Sequence, residues 1–119
     1  MGSKLNSQDS RAYPRLTVAL VGHCRIGNRF VRDAVANLSE SGLYLKTKEP
    51  ATVGTEVRVA LALPFPEGPR YCTLVGNVAR VDRDSRGFSR GLGVYFDGAG
   101  TADSGREALK GFLSDRSAA

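Results

Sequence analysis

The chain has 119 residues, 41% hydrophobic, with a formal net charge of +5. That is one domain's worth of sequence, long enough to bury a core without disulfides or metals. No apolar run approaches the ~20 residues that span a bilayer, which excludes a transmembrane helix, and the polar N-terminus shows no signal peptide.

Residues 1–14 are polar, end in Pro14 and show no periodicity, so they read as a flexible N-terminal arm. Leu16, Val18 and Leu20 then share one face of a strand expected over 15–24. Gly27-Asn28 signals a turn, and a returning strand is expected over Arg29–Leu38. Asn37 to Gly42 forms a polar turn, after which Leu43 and Leu45 alternate with Tyr44 and Lys46 in a short strand.

Val57, Val59, Leu61 and Leu63 alternate cleanly, predicting a strand from Thr55 to Leu63. Pro64, Pro66, Gly68 and Pro69 predict a rigid loop. Another strand is expected over Tyr71–Val81, with Cys72, Leu74, Gly76 and Val78 on one side. Asp82 to Gly87 reads as a solvated hairpin tip, its acids balanced by Arg80, Arg83 and Arg86. Leu92, Val94 and Phe96 complete the β pattern. The period then changes: Ala108, Leu109, Phe112 and Leu113 fall at helical spacing, and Ser104-Gly105-Arg106-Glu107 matches a capping box. The expected fold is mainly β, a six-stranded antiparallel barrel spanning 15–116 with a C-terminal α-helix over about 103–115.

Little here suits catalysis. His23 is the sole histidine and has no nucleophile or acid partner near it in sequence. Cys24 and Cys72 make no metal-ligand cluster and read as free thiols of a reducing cytoplasm. No metal or cofactor is expected, and no enzyme.

Thirteen of the 17 basic residues are arginine, which suits planar, bidentate contacts with phosphates or nucleotides. Arg-x-x-x-Arg occurs three times, at Arg11/Arg15, Arg25/Arg29 and Arg86/Arg90, so the spacing alone carries little. Only Arg11/Arg15 lies one hairpin upstream of Asn37, Ser39 and Gly42, with 21 residues between Arg15 and Asn37. An arginine clamps a phosphate or bonds the O6/N7 edge of guanine. Asn37 and Ser39 offer polar groups, and Gly42 permits close approach to backbone. Tyr13, between the arginines, is a candidate to stack on a base; Phe30 reads as core. Arg32 and Lys46 are candidates for extra charge near the turn.

With Arg11/Arg15 followed by Asn37/Ser39/Gly42, the chain resembles the PilZ domain family, bacterial receptors for cyclic di-GMP. That family's pattern is RxxxR, a hairpin, then [D/N]xSxxG. Gly91-Leu92-Gly93-Val94-Tyr95-Phe96 is similar to its late GxGVxF strand. The resemblance implies that Arg11 and Arg15 grip phosphates and guanine edges, that Asn37 and Ser39 bond guanine, and that Gly42 leaves room for the ligand. Ser10, Tyr13, Leu38 and Gly93 would flank the site. It further implies a cytoplasmic receptor whose arm orders on binding and which signals through an unidentified protein partner, without membrane insertion. A nucleotide-independent interaction scaffold is the alternative. A nucleic-acid-binding barrel is less favoured, because the sequence has no run of aromatics for stacking bases.

Overall fold

The computed structural model describes residues 15–97 and 103–117. Six strands and one helix follow in order: β1 (Leu16–Ile26), β2 (Arg29–Leu38), β3 (Gly42–Lys46), β4 (Glu56–Phe65), β5 (Gly68–Arg83), β6 (Ser89–Phe96) and α1 (Asp103–Ser117). The strands close into a barrel in the spatial order β1-β2-β3-β6-β5-β4, antiparallel at every seam. Closure leaves no sheet edge to recruit another chain. The arm, with Ser10, Arg11 and Tyr13, lies outside the described residues.

Period-2 alternation dictates the core. Val57, Val59, Leu61 and Leu63 of β4 point inward, as do Cys72, Leu74 and Val78 of β5 and Leu92 and Val94 of β6. Each fully buried aliphatic side chain is worth about 1.5–3 kcal/mol of transfer free energy, so this interior dominates stability. Helix α1 packs Ala108, Leu109, Phe112 and Leu113 onto it, with the Phe112 ring edge-on to Phe65 at 6.2 Å between centroids. The helix starts at Asp103, so Ser104 sits within the first turn rather than capping it. Among the described residues, no helix is long and apolar enough to cross a membrane.

Three expectations need correction. Pro64 to Pro69 is not a loop between two separate strands. Pro64 pairs with Pro69 and Phe65 with Gly68, so β4 and β5 run almost to the tip and only Pro66-Glu67 turns. Gly68 adopts φ +128°, which a side chain would oppose. Phe30 is not core: it stands on the outer face of β2 and is 81% exposed. Asp82 belongs to β5 rather than to the solvated tip, and the tip proper begins at Asp84.

Two irregularities decide which way the polar residues of the sheet face. Ala36 is an extra residue between the pairs Val35–Leu45 and Asn37–Tyr44, and Ala79 is an extra residue between Val78–Val94 and Arg80–Gly93. Each bulge reverses the inward–outward alternation beyond it. Leu38 therefore turns into the core, where it is 0% exposed, and Asn37 turns outward.

Candidate functional site

The Asn37–Gly42 turn is built from its own side chains. The Ser39 Oγ accepts the backbone N–H groups of Ser41 (3.1 Å) and Gly42 (3.2 Å), and the Ser39 N–H donates to the Gly42 carbonyl (2.9 Å). Ser39 is 0% exposed, so its hydroxyl holds the turn rather than facing outward. Gly42 is set by packing: any Cβ there would collide with the carbonyl oxygen of Val94 across the β3–β6 seam. Leu38, drawn into the site by sequence position, offers a ligand no side-chain surface, because the Ala36 bulge buries it.

At the edge of this turn Asn37 meets Arg15. The Arg15 Nη1, just ahead of β1, donates to Asn37 Oδ1, near the end of β2, at 2.7 Å. The structure thus joins one arginine of the first motif to the leading residue of the second. Because Asn37 is neutral, it orients the guanidinium without cancelling its charge. Arg11, Ser10 and Tyr13 lie outside the described residues. Arg32 and Lys46 sit toward the strand ends opposite the turn, so neither adds charge to it.

The bulges extend the site along one cross-strand row. Thr17 pairs with Asn37, Asn37 with Tyr44, Tyr44 with Gly93, and Gly93 with Arg80. Directly opposed residues share a face, so these five line the barrel's outer surface. Three strand spacings separate Asn37 from Arg80, about 14 Å. Gly93 is buried in this row beneath the Arg80 side chain, whose Cζ and Nη2 would lie 3.8 and 3.9 Å from a Cβ there. A Cβ there would meet only the Arg80 side chain, nearest at its Cβ, 3.5 Å away, an ordinary contact. Gly91 differs, since a Cβ there would collide with the Tyr44 hydroxyl.

Arg80 and Tyr44 are organised by Asp82. The Tyr44 hydroxyl donates to Asp82 Oδ2 at 2.8 Å, the Arg80 Nε donates to Oδ1 at 3.2 Å, and the guanidinium lies 5.9 Å from the Tyr44 ring centroid. The Tyr44 hydrogen bond, with Arg80 and Arg90 nearby, holds the Asp82 carboxyl below its ordinary range against a smaller desolvation effect. Burial and the Asp82 carboxylate push the Tyr44 hydroxyl up, so it stays a protonated donor. Sequence reasoning missed Tyr44, Arg80 and their link through Asp82. Tyr44 and Asp82 are 38 residues apart, and their meeting depends on bulges that no local signal announces.

Nothing comparable gathers around the thiols. Cys24 and Cys72 are buried and unbridged. Burial first, and the Asp33 carboxylate second, push the Cys24 thiol up to about 11, and burial raises Cys72 as well, so neither supplies a thiolate near neutrality. Among the described residues, no group of three or more His, Cys, Asp or Glu is placed to hold a metal ion.

Comparison with known proteins agrees with the architecture. The chain's fold is similar to that of MotI (DgrA), the inhibitor of motility from Bacillus subtilis, with TM-score 0.76 and 20% identity over 91% of this chain and 51% of that one. It is similar to the PilZ domain of YcgR from Escherichia coli, solved with cyclic di-GMP, with TM-score 0.61 and 17% identity over 91% and 93%. A tetrameric PilZ protein of Xanthomonas campestris, self-assembled through a helical bundle, gives TM-score 0.52 and 22% identity over 76% and 47%. This chain thus spans about half the length of MotI and of the Xanthomonas protein. At these identities the likeness concerns the fold. The sequence matches none of the curated proteins. The model of the PilZ domain family matches residues 9–115, and with the closed barrel, the terminal helix and the two motifs meeting at Arg15 and Asn37, the chain belongs to the PilZ domain family.

Proposed function

We propose that this chain is a cyclic di-GMP receptor that acts by binding rather than by catalysis. The observation that carries the reading is the 2.7 Å bond from Arg15 to Asn37, which seats an arginine of RxxxR on the first residue of NxSxxG. The cyclic di-GMP bound to the YcgR PilZ domain supports the ligand's identity.

In this reading Arg11 and Arg15 grip the phosphates and the O6/N7 edges of guanine. Asn37 bonds a base once Arg15 turns toward the ligand. Ser39 and Gly42 contribute by holding the turn that presents Asn37. Arg80, steadied by Asp82 over Gly93, supplies a further cation at the far side, and its swing off Gly93 lets the ligand lie close to the sheet. Ligand binding orders the arm across the barrel, changing the surface shown to a partner protein. The expected setting is the bacterial cytoplasm.

Calorimetric titration tests this. Cyclic di-GMP should release heat at micromolar concentrations where GTP and cyclic AMP do not, and Arg11→Ala or Arg15→Ala should abolish the signal. Silence in the native chain, or titrations unchanged by both substitutions, defeats the reading.

A further inference from the structure

The barrel has a second cationic end. The ion pairs among the described residues engage Arg25, Arg29, Arg58 and Arg80. Lys46, Lys48, Arg83, Arg86 and Arg90 join none of them, although Arg90 lies near the Asp82 carboxylate, and these five line one open cavity of about 740 Å³. The cavity lies away from the Ser39 turn. Lys46 ends β3, which begins at Gly42, and Ser89 begins β6, which ends at Phe96 beside Ser41.

Two acids also line the cavity, Asp33 and Asp84, so its lining charge is 5 − 2 = +3. Asp84 is engaged in the hairpin tip, where Oδ1 accepts the backbone N–H groups of Arg86 (2.9 Å) and Phe88 (3.0 Å). That arrangement projects Phe88, which is 63% exposed, with the Arg86 guanidinium 5.5 Å from its ring centroid. The buried Ser89 hydroxyl donates toward the carbonyls of Thr47 (3.5 Å) and Glu49 (3.3 Å). The segment carrying the lysines is therefore tied to the hairpin carrying the arginines, and the two present one surface.

We propose that this end docks peripherally on an anionic phospholipid bilayer, the five cations facing headgroup phosphates and the Phe88 ring resting at the headgroup boundary. Lysine and arginine beside one protruding aromatic is the chemistry of an interfacial anchor. A nucleic-acid strand calls for successive aromatic platforms, and this rim has one. A protein interface has an apolar centre with lysine depleted, whereas this centre is charged and includes two lysines. Docking in this orientation leaves the Arg15–Asn37 end pointing away from the bilayer. The inference stands independently of the nucleotide reading.

Sedimentation of the full chain with vesicles decides it. Vesicles of phosphatidylcholine containing one-third phosphatidylglycerol should retain the protein at low ionic strength and release it as salt is raised to about 0.5 M, where the screening length shrinks to a few ångströms. Pure phosphatidylcholine vesicles should not retain it. Each exposed basic residue near an anionic surface strengthens binding roughly 5-fold, so the double change Lys48→Gln with Arg86→Gln should weaken retention roughly 25-fold. Phe88→Ser should weaken it several-fold with the salt dependence unaltered, while Arg25→Gln, on the ion-paired face, changes nothing. Equal retention by both vesicles, no retention by either, or indifference to the Lys48/Arg86 change overturns the proposal. So does tighter binding of a thymidine oligonucleotide or of polyglutamate through the same residues.

Discussion

The two ends of the barrel hold positive charge in opposite ways. At one end Arg15 is half-buried and aimed by a neutral amide, on a turn whose hydroxyl and glycine are committed to the backbone. At the other, five cations surround an open bowl and none forms an ion pair with a carboxylate among the described residues. A single aimed guanidinium discriminates by geometry, because a bidentate contact fails when its partner is misplaced. A loose cluster responds to the total field and to whatever screens it. Similar side chains therefore suit a small planar ligand at one end and a diffuse anionic surface at the other.

The largest expected effect tests whether the first end is rigid. Gly42→Ala forces a methyl group against the Val94 carbonyl and should cost about 3 kcal/mol in urea unfolding. Gly87→Ala, at the opposite tip, meets open space and bears only the strain of φ +87°, about 1 kcal/mol. Equal costs would mean that the β3–β6 seam yields, and the contrast would fail.

Next comes the nucleotide. Removing a hydrogen bond to a charged group costs about 1.5–3 kcal/mol, so Arg15→Ala should weaken cyclic di-GMP binding by at least tenfold. Arg86→Ala should change it less than about twofold, as expected of a distant screened charge. Comparable losses would show that net field, rather than placement, governs binding. A subtler version replaces the amide: Asn37→Asp pairs with Arg15 in the free chain, but once Arg15 turns to the ligand the carboxylate can accept two donors from guanine, a gain that exceeds the lost pairing, and calorimetry should show binding several-fold tighter.

The smallest effect concerns Asp82, which belongs to the organised side. Its carboxyl is held below the ordinary range chiefly by the Tyr44 hydrogen bond. A depressed folded-state pKa stabilises above the unfolded value, about 4, and that contribution disappears as pH falls through the folded value. Asp82→Asn should therefore lower Tm at neutral pH, and the gap from the native chain should shrink on acidification below about pH 4. A gap constant across that range would show that Asp82 acts through shape alone.

Much of the architecture was legible before folding. Alternation at Val57–Leu63 and at Cys72–Val78 announced buried strands, because a period of 2 with one buried face has a single register. Helical spacing at Ala108–Leu113 announced a helix with one apolar face. Phe30 misled because an aromatic in a β run normally packs inward, whereas it shares parity with Arg32 and Ala34, opposite Val31 and Val35, and pairs with the outward Arg25. The prolines at 64, 66 and 69 misled because proline cannot donate to a ladder, yet it fits where its nitrogen faces away from the partner strand.

Local chemistry was therefore enough to specify the elements and the turn residues, since periodicity and turn preference act within a few residues, while the pairing of RxxxR with NxSxxG rested on their placement one hairpin apart and on the resemblance to the PilZ family. Local chemistry was not enough to aim them. Two single-residue bulges, at Ala36 and Ala79, bury Leu38, expose Asn37, and align it with Tyr44, Gly93 and Arg80. Barrel closure then gathers Lys46, Lys48 and the 83–90 hairpin around one cavity. Such placements arise from cross-strand register and closure, which depend on residues dozens of positions apart and leave no mark in any short window of sequence.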